Sequence, residues 1–277
     1  MNSEFRLNVF KRASLCRNFE EEVFKYSNMG VFKSPIYLSA GQEFIPATLA
    51  EIYKNQKPLL FAQHRAHSTY LSFGGDPIKL IDELLGKESG CASGMAGSPS
   101  IQGKEINMYG HDGLIGTEVG IAVGACFASK QFTITFMGDA AAEEDYVLSS
   151  IGWASTKKIP ILFIVEDNNL SVLTKKIVRR VWDISEVATA FGIQSVSIDD
   201  IPLTIKSHLN VWEMKSPMLM NINTERLFWH SGAGIDPYEK RDRYAIELKE
   251  LGEDAKEIHD KTKKYVENLW KERLDKQ

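Results

Sequence analysis

A chain of 277 residues, 43 % hydrophobic and 25 % charged, has the composition of a folded globular protein and excludes a disordered, collagen-like or coiled-coil one. With 33 basic against 37 acidic side chains the net charge is −4, so no overall basic field draws in nucleic acid. Three scattered cysteines (Cys16, Cys91, Cys126), no apolar run near the ~20 residues of a membrane span and a polar amino terminus predict a cytoplasmic protein with no membrane association.

From Phe5 to Tyr26, Val9, Ala13, Cys16, Phe19 and Val23 recur at spacings of three and four, which predicts an amphipathic helix. A second helix is expected after the turn at Ser39-Ala40-Gly41, through Thr48 to Tyr53. Between Gly86 and Gly116 the runs ESGCASGMAGSPSIQG and HDGLIG are loose and rich in Gly and Ser, the composition of a functional loop. Gly116, Gly120 and Gly124 stand four apart, which predicts a helix whose glycine face admits a close neighbour. The alternative is a helix merely weakened by glycine.

An α/β pattern follows. Phe132 to Met137 and Pro160 to Val165 are short apolar, β-branched runs that read as buried strands, with a helix from Glu143 to Ser155 between them. Strand, helix and strand in so short a span form a parallel crossover unit. A further strand is expected over Met218 to Ile222, and from Pro237 onward the chain is charged and helical. The fold class is therefore α/β: one domain with a parallel sheet flanked by helices, plus a helical tail.

In open parallel sheets, ligands bind beyond the carboxyl ends of the strands. Gly138-Asp139 and Asp167-Asn168-Asn169 follow two such ends. Asp and Asn side chains with a backbone carbonyl offer the hard oxygens that Mg²⁺ takes beside phosphate and water. The same residues also serve as plain turn formers.

Asp139 precedes Asn168 by 29 residues, and in this spacing the sequence resembles the thiamine-diphosphate signature that opens Gly-Asp-Gly and closes Asn-Asn. YLSAGQE (37–43), FAQHRAHSTYLSFGGDP (61–77), GCASGMAGS (90–98), GLIGTEVGIAVGA (113–125), MGDAAAEE (137–144), LFIVEDNN (162–169) and ERLFWHS (225–231) occur in matching order. Together they resemble the alpha subunit of the thiamine-dependent decarboxylase component of 2-oxo acid dehydrogenases, over about residues 35–235.

The resemblance implies that thiamine diphosphate and Mg²⁺ bind here, with Asp139 and Asn168 as metal ligands through side chains and Leu170 through its carbonyl. A register one residue later makes Asn169 the ligand instead. Gly138 opens the cofactor signature with Asp139, and the amides of Ala140 and Ala141 face the diphosphate. By the same resemblance Arg65 would bind the diphosphate as a permanently charged fork of donors, His64 would contact it, and the backbone of Gly113 and Ile115 would meet the aminopyrimidine. His230 is the implied catalytic histidine on the loop over the site. His67 is a second catalytic candidate, or a histidine that holds its own loop. Two residues depart from the pattern. Ala140 replaces the last glycine of the signature, where a methyl crowds the diphosphate if the backbone needs positive φ, and Tyr37 stands where many relatives have histidine.

By the same resemblance, residues 1–235 form the diphosphate- and metal-binding domain, with the first helix and the active-site loop, and 236–277 a helical extension. The expected activity is decarboxylation of a 2-oxo acid, or the acetoin reaction, with the acyl group passed to a lipoyl acceptor. The partners implied are a beta-type subunit carrying the pyrimidine-binding domain and activating glutamate, in an α₂β₂ assembly, and a lipoyl-bearing acyltransferase. A transketolase-like transfer to a carbonyl acceptor and a catalytically impaired partner subunit are the alternatives.

Overall fold

The computed structural model describes residues 2–110, 112–232 and 241–275. The expected boundary between residues 235 and 236, and Pro237 where the helical extension was expected to begin, lie outside them. The chain opens with α1 (Asn2–Asn28), α2 (Phe44–Ile52), β1 (Leu59–Phe61), α3 (His67–Ser72) and α4 (Pro77–Leu84). The Gly/Ser-rich loop leads to β2 (Met108–Tyr109), then α5 (Thr117–Ser129), β3 (Thr133–Gly138), α6 (Asp145–Lys157) and β4 (Ile161–Asp167). A small hairpin, β5 (Leu170–Ser171) and β6 (Thr174–Lys175), runs into α7 (Lys176–Arg179). After it come α8 (Ile184–Ala190), β7 (Gln194–Asp199), α9 (Pro202–Asn210), β8 (Met218–Asn223), α10 (Arg243–Leu251) and α11 (Glu253–Leu274).

Among the described residues, six strands form one sheet in the order β2-β1-β3-β4-β8-β7, every pair parallel. This is the α/β architecture the apolar runs predict. β3 and β4 lie side by side in the middle and are buried on both faces, which is why they read as continuous apolar runs. Their side chains alternate. Ile134, Phe136, Leu162 and Ile164 enter the core under α1, α3, α4 and α11; Met137, Ile161, Phe163 and Val165 enter the one under α5, α6 and α8.

Details differ from the sequence reading. Both central strands run further than expected, so Glu166 and Asp167 belong to β4 rather than to the turn after it. Where one helix was expected from Glu143, a 3₁₀ turn over Ala141–Glu143 precedes α6, which begins only at Asp145. On the glycine face, a Cβ at Gly116 would stand 2.6 Å from Val147 Cγ2 and one at Gly120 3.3 Å from Ser150 Oγ, whereas one at Gly124 meets nothing within 4 Å. Close packing thus holds at the start of α5 and opens along it. The charged C-terminal helix buries Val266, Leu269 and Trp270 at spacings of three and four, and Trp270 packs on Phe19 and Tyr26 of α1.

Candidate active site

The chain passes from β1 outward to β2, but from β3 to β4 on the other side. β1 and β3 therefore flank a topological switch point, where open sheets leave a crevice at the strand ends. A cavity of about 230 Å³ lies there. After β1, Gln63, His64 and Arg65 line it; after β3, Gly138, Asp139, Ala140 and Ala141; after β4, Asn168 and Leu170. Ile115, Gly116, Glu118, Ser171, Val172, Arg226 and His230 also line it. An adjoining cavity of about 260 Å³ shares His64, Ile115 and His230 and adds Tyr37, Pro99, Ser100 and Gly113.

So the structure brings His64, Arg65, Ile115, Gly138, Asp139, Ala140, Ala141, Asn168, Leu170 and His230 to one cavity and Gly113 to the next. Asn169, the alternative ligand, lines neither; its backbone is left-handed, φ 63°, and its Oδ1 accepts from Lys176 N–H at 3.2 Å. Ala140 has φ −73°, an ordinary right-handed value, so the residue in place of glycine carries no backbone strain. His67 lines neither cavity. It is fully buried, with Nδ1 2.7 Å from Glu20 Oε1 and Nε2 2.9 Å from Ser98 Oγ.

The floor is acidic. Asp139 and Asp167 are both buried, and the Asp139 carboxyl lies above its ordinary range because burial, and then the Asp167 charge, disfavour ionisation against the pull of Arg179. Arg179 Nη2 donates to Asp139 Oδ2 and Lys176 Nζ to Asp167 Oδ2, so α7 lays two cations on the two carboxylates. Asn168 Nδ2 donates to Gln42 Oε1 at 2.9 Å, while its Oδ1 accepts from Leu170 N–H at 3.1 Å and keeps a second lone pair. Beneath, Glu166 accepts from Gln63 Nε2, and burial pushes its carboxyl up to about 7 against the opposing pull of Gln63 and Arg65.

The opposite wall is cationic and aromatic. Arg65 Nη1 donates to the Leu38 carbonyl, and Nη2 lies 3.2 Å from His230 Nδ1. The rings of Tyr37, His64 and His230 stand edge to face, with centroids 5.0, 5.5 and 5.7 Å apart. Arg226 Nη2 donates to the Val172 carbonyl at 2.7 Å, tying the His230 segment to the β5–β6 hairpin. Hard oxygens at one end and guanidinium groups at the other suit a metal-bound anion.

Sequence reasoning assigned no role to Gln63, Arg226 or Arg179. The first two lie inside recognised blocks, one residue before HRAH and at the start of RLFWHS. The signal for Arg179 was the basic run KKIVRR, which begins eight residues after Asp167.

A family model described as "Dehydrogenase E1 component" matches residues 11–244. The alpha subunit of the pyruvate dehydrogenase E1 component of Rickettsia felis is 26 % identical over 298 residues, which cover 95 % of this chain and 91 % of that one. The alpha subunit of acetoin:2,6-dichlorophenolindophenol oxidoreductase of Cupriavidus necator is 27 % identical, covering 72 % of this chain and 61 % of that subunit. Among solved structures, transketolase of Campylobacter jejuni superposes with a TM-score of 0.60 at 16 % identity, over 99 % of this chain and 50 % of the transketolase. That likeness is one of fold, and this chain spans about half the transketolase length.

Proposed function

The chain belongs to the dehydrogenase E1 component family, and on that premise we propose that it is the alpha subunit of a thiamine-diphosphate-dependent 2-oxo acid or acetoin dehydrogenase. The observation that carries this reading is the convergence on one cavity, at the switch point of the sheet, of ten residues that the resemblance implies for the site. The transketolase likeness, at 16 % identity, lends no support to a transketolase-like transfer.

The residues fit the cofactor. Asp139, the free lone pair of Asn168 Oδ1 and the Leu170 carbonyl would hold Mg²⁺, a set of hard oxygens with one charged member. Arg65 and Arg226 would neutralise the diphosphate, and the amides of Ala140 and Ala141 would donate to it. Gly113 and Ile115 would offer backbone contacts to the aminopyrimidine. When bound, thiamine diphosphate supplies the nucleophilic carbon and the electron sink that decarboxylation needs.

This chain's own part is to bind, orient and move protons. His230 presents an imidazole at the boundary of the two cavities, where it would hold or transfer a proton at Nε2, while Arg65 fixes its Nδ1 side. His64 lies across from it and would contact the diphosphate. We place the activating glutamate and pyrimidine-binding domain on a beta-type partner in an α₂β₂ assembly, with a lipoyl-bearing acyltransferase as acceptor. Among the described residues no helix is long and apolar enough to cross a membrane, and the three cysteines are free, which suits the cytoplasm.

The test is co-expression with a beta-type chain, then turnover of 2-oxo acids and acetoin with an artificial electron acceptor and with lipoylated protein. Activity that needs both chains and both cofactors supports the reading. Activity that appears only with carbonyl acceptors contradicts it.

A further inference from the structure

Three side chains that the proposed chemistry leaves unused form a closed, dry chain. Glu20 on α1, His67 at the start of α3 and Ser98 within the Gly/Ser-rich loop are each fully buried. Glu20 Oε1 lies 2.7 Å from His67 Nδ1, and His67 Nε2 lies 2.9 Å from Ser98 Oγ. Both ends of this chain grip the same stretch of backbone. Ser98 Oγ accepts from Tyr37 N–H at 2.8 Å, and Glu20 Oε2 accepts from Ser39 N–H at 3.2 Å. Glu20 Oε1 also accepts from Ser39 Oγ at 3.1 Å, and Arg65 holds the Leu38 carbonyl between them.

The stretch so held carries Tyr37, whose ring stands edge-on to both His64 and His230. The two residues after Ser98, Pro99 and Ser100, form the facing wall of the adjoining cavity. From the other side, buried Glu83 fixes the loop that delivers Ser98. Its carboxylate accepts from four backbone amides, those of Ala92, Gly94, Ala96 and Gly97, at 2.8–3.0 Å.

We propose that His67 is a positioning residue: it closes the Glu20–His67–Ser98 clamp around Tyr37–Ser39, and the clamp sets the Tyr37 ring against which His64 and His230 are aligned. A buried hydrogen-bonded chain is suited to this because each member has one low-energy arrangement, and loss of any member leaves a polar group unpaired in a dry site. His67 itself touches neither cavity. Its effect on chemistry therefore passes through Tyr37, and its catalytic consequence rests on the function proposed above.

The first arm of the test is independent of activity. The chain has six histidines, and ring-labelled histidine in the full chain gives a signal for each by NMR. In Ser98→Ala the His64 and His230 ring signals are expected to move while those of His208 and His259, on α9 and α11, stay fixed; Ser98→Thr, which keeps the hydroxyl, is expected to restore them. His67→Asn is the second variant. His64 and His230 signals that stay in place in both Ser98→Ala and His67→Asn overturn the proposal.

The second arm uses the assembled enzyme and a cycle of Ser98→Ala with Tyr37→Ala. Each single change is expected to lower kcat about tenfold with KM for cofactor little moved, and the double variant to be no worse than Tyr37→Ala alone. Multiplicative losses, about a hundredfold in the double variant, overturn the link through Tyr37. If the wild-type assembly turns over no 2-oxo acid or acetoin, the functional reading fails, and the NMR arm alone decides on the clamp.

Discussion

Arg179 lays its guanidinium on the carboxylate of Asp139, the side chain proposed to hold the metal, and also reaches Glu143 at 3.2 Å. A divalent cation arriving at Asp139 competes with that guanidinium for the carboxylate. Arg179→Gln removes the competitor, so it is expected to tighten Mg²⁺-dependent thiamine-diphosphate binding about tenfold, less than the full worth of a charged hydrogen bond. Calorimetric titration of the assembled enzyme measures this. Weaker binding in the variant would instead make Arg179 a ligand of the diphosphate.

Arg65 is nearly buried and bonds both Leu38 and His230. Arg65→Ala is expected to weaken cofactor binding by about 2–3 kcal/mol, the loss of a buried charge-assisted contact. A calorimetric affinity equal to that of wild type would remove Arg65 from the diphosphate site.

His230 stands where the two cavities meet. His230→Ala is expected to leave cofactor affinity nearly intact and to lower turnover by about 10²-fold or more, the scale of a positioned acid–base group. Acyl transfer to lipoylated protein should suffer at least as much as turnover with an artificial acceptor. Normal rates with both acceptors would reduce His230 to a packing residue beside Trp229.

Burial pushes the Glu43 carboxyl up to about 7, only partly offset by Arg17. The folded value lies above the unfolded one, so its stabilising contribution is full below the ordinary 4.5 and is lost as pH rises toward 7. Glu166 acts in the same sense, whereas Asp242, held low by Arg17, acts only at more acid pH. Thermal unfolding of the chain is thus expected to fall in midpoint between about pH 5 and pH 7.5, and to fall less in Glu43→Gln. An equal fall in the two proteins would contradict the assignment.

The central strands were legible because parallel strands buried on both faces leave unbroken apolar runs, and the residues that line the cavity because strand-end chemistry sits in compact local motifs. Other parts left a weak local trace or none. β1 is three residues long, too short for any period, and β7 alternates Ser195, Ser197 and Asp199 with apolar residues as a half-exposed edge strand. α11 looks solvated because its buried face is only a narrow stripe ending in Trp270. Glu20 and His67 meet across 47 residues of sequence, and Arg179 and Asp139 across 40, so neither pairing could be read from spacing. Those contacts exist only because α1, α3 and α7 close on one end of the sheet.

The measurement that bears most directly on the account is calorimetric binding of thiamine diphosphate, with and without Mg²⁺, to the assembled enzyme carrying Asp139→Ala. Asp139 is the only charged member of the proposed ligand set, buried at the end of β3 with Asn168 and Leu170 in the same cavity. The account predicts that wild type binds the cofactor in a Mg²⁺-dependent way and that Asp139→Ala abolishes this dependence. Unchanged Mg²⁺-dependent affinity in the variant would contradict it.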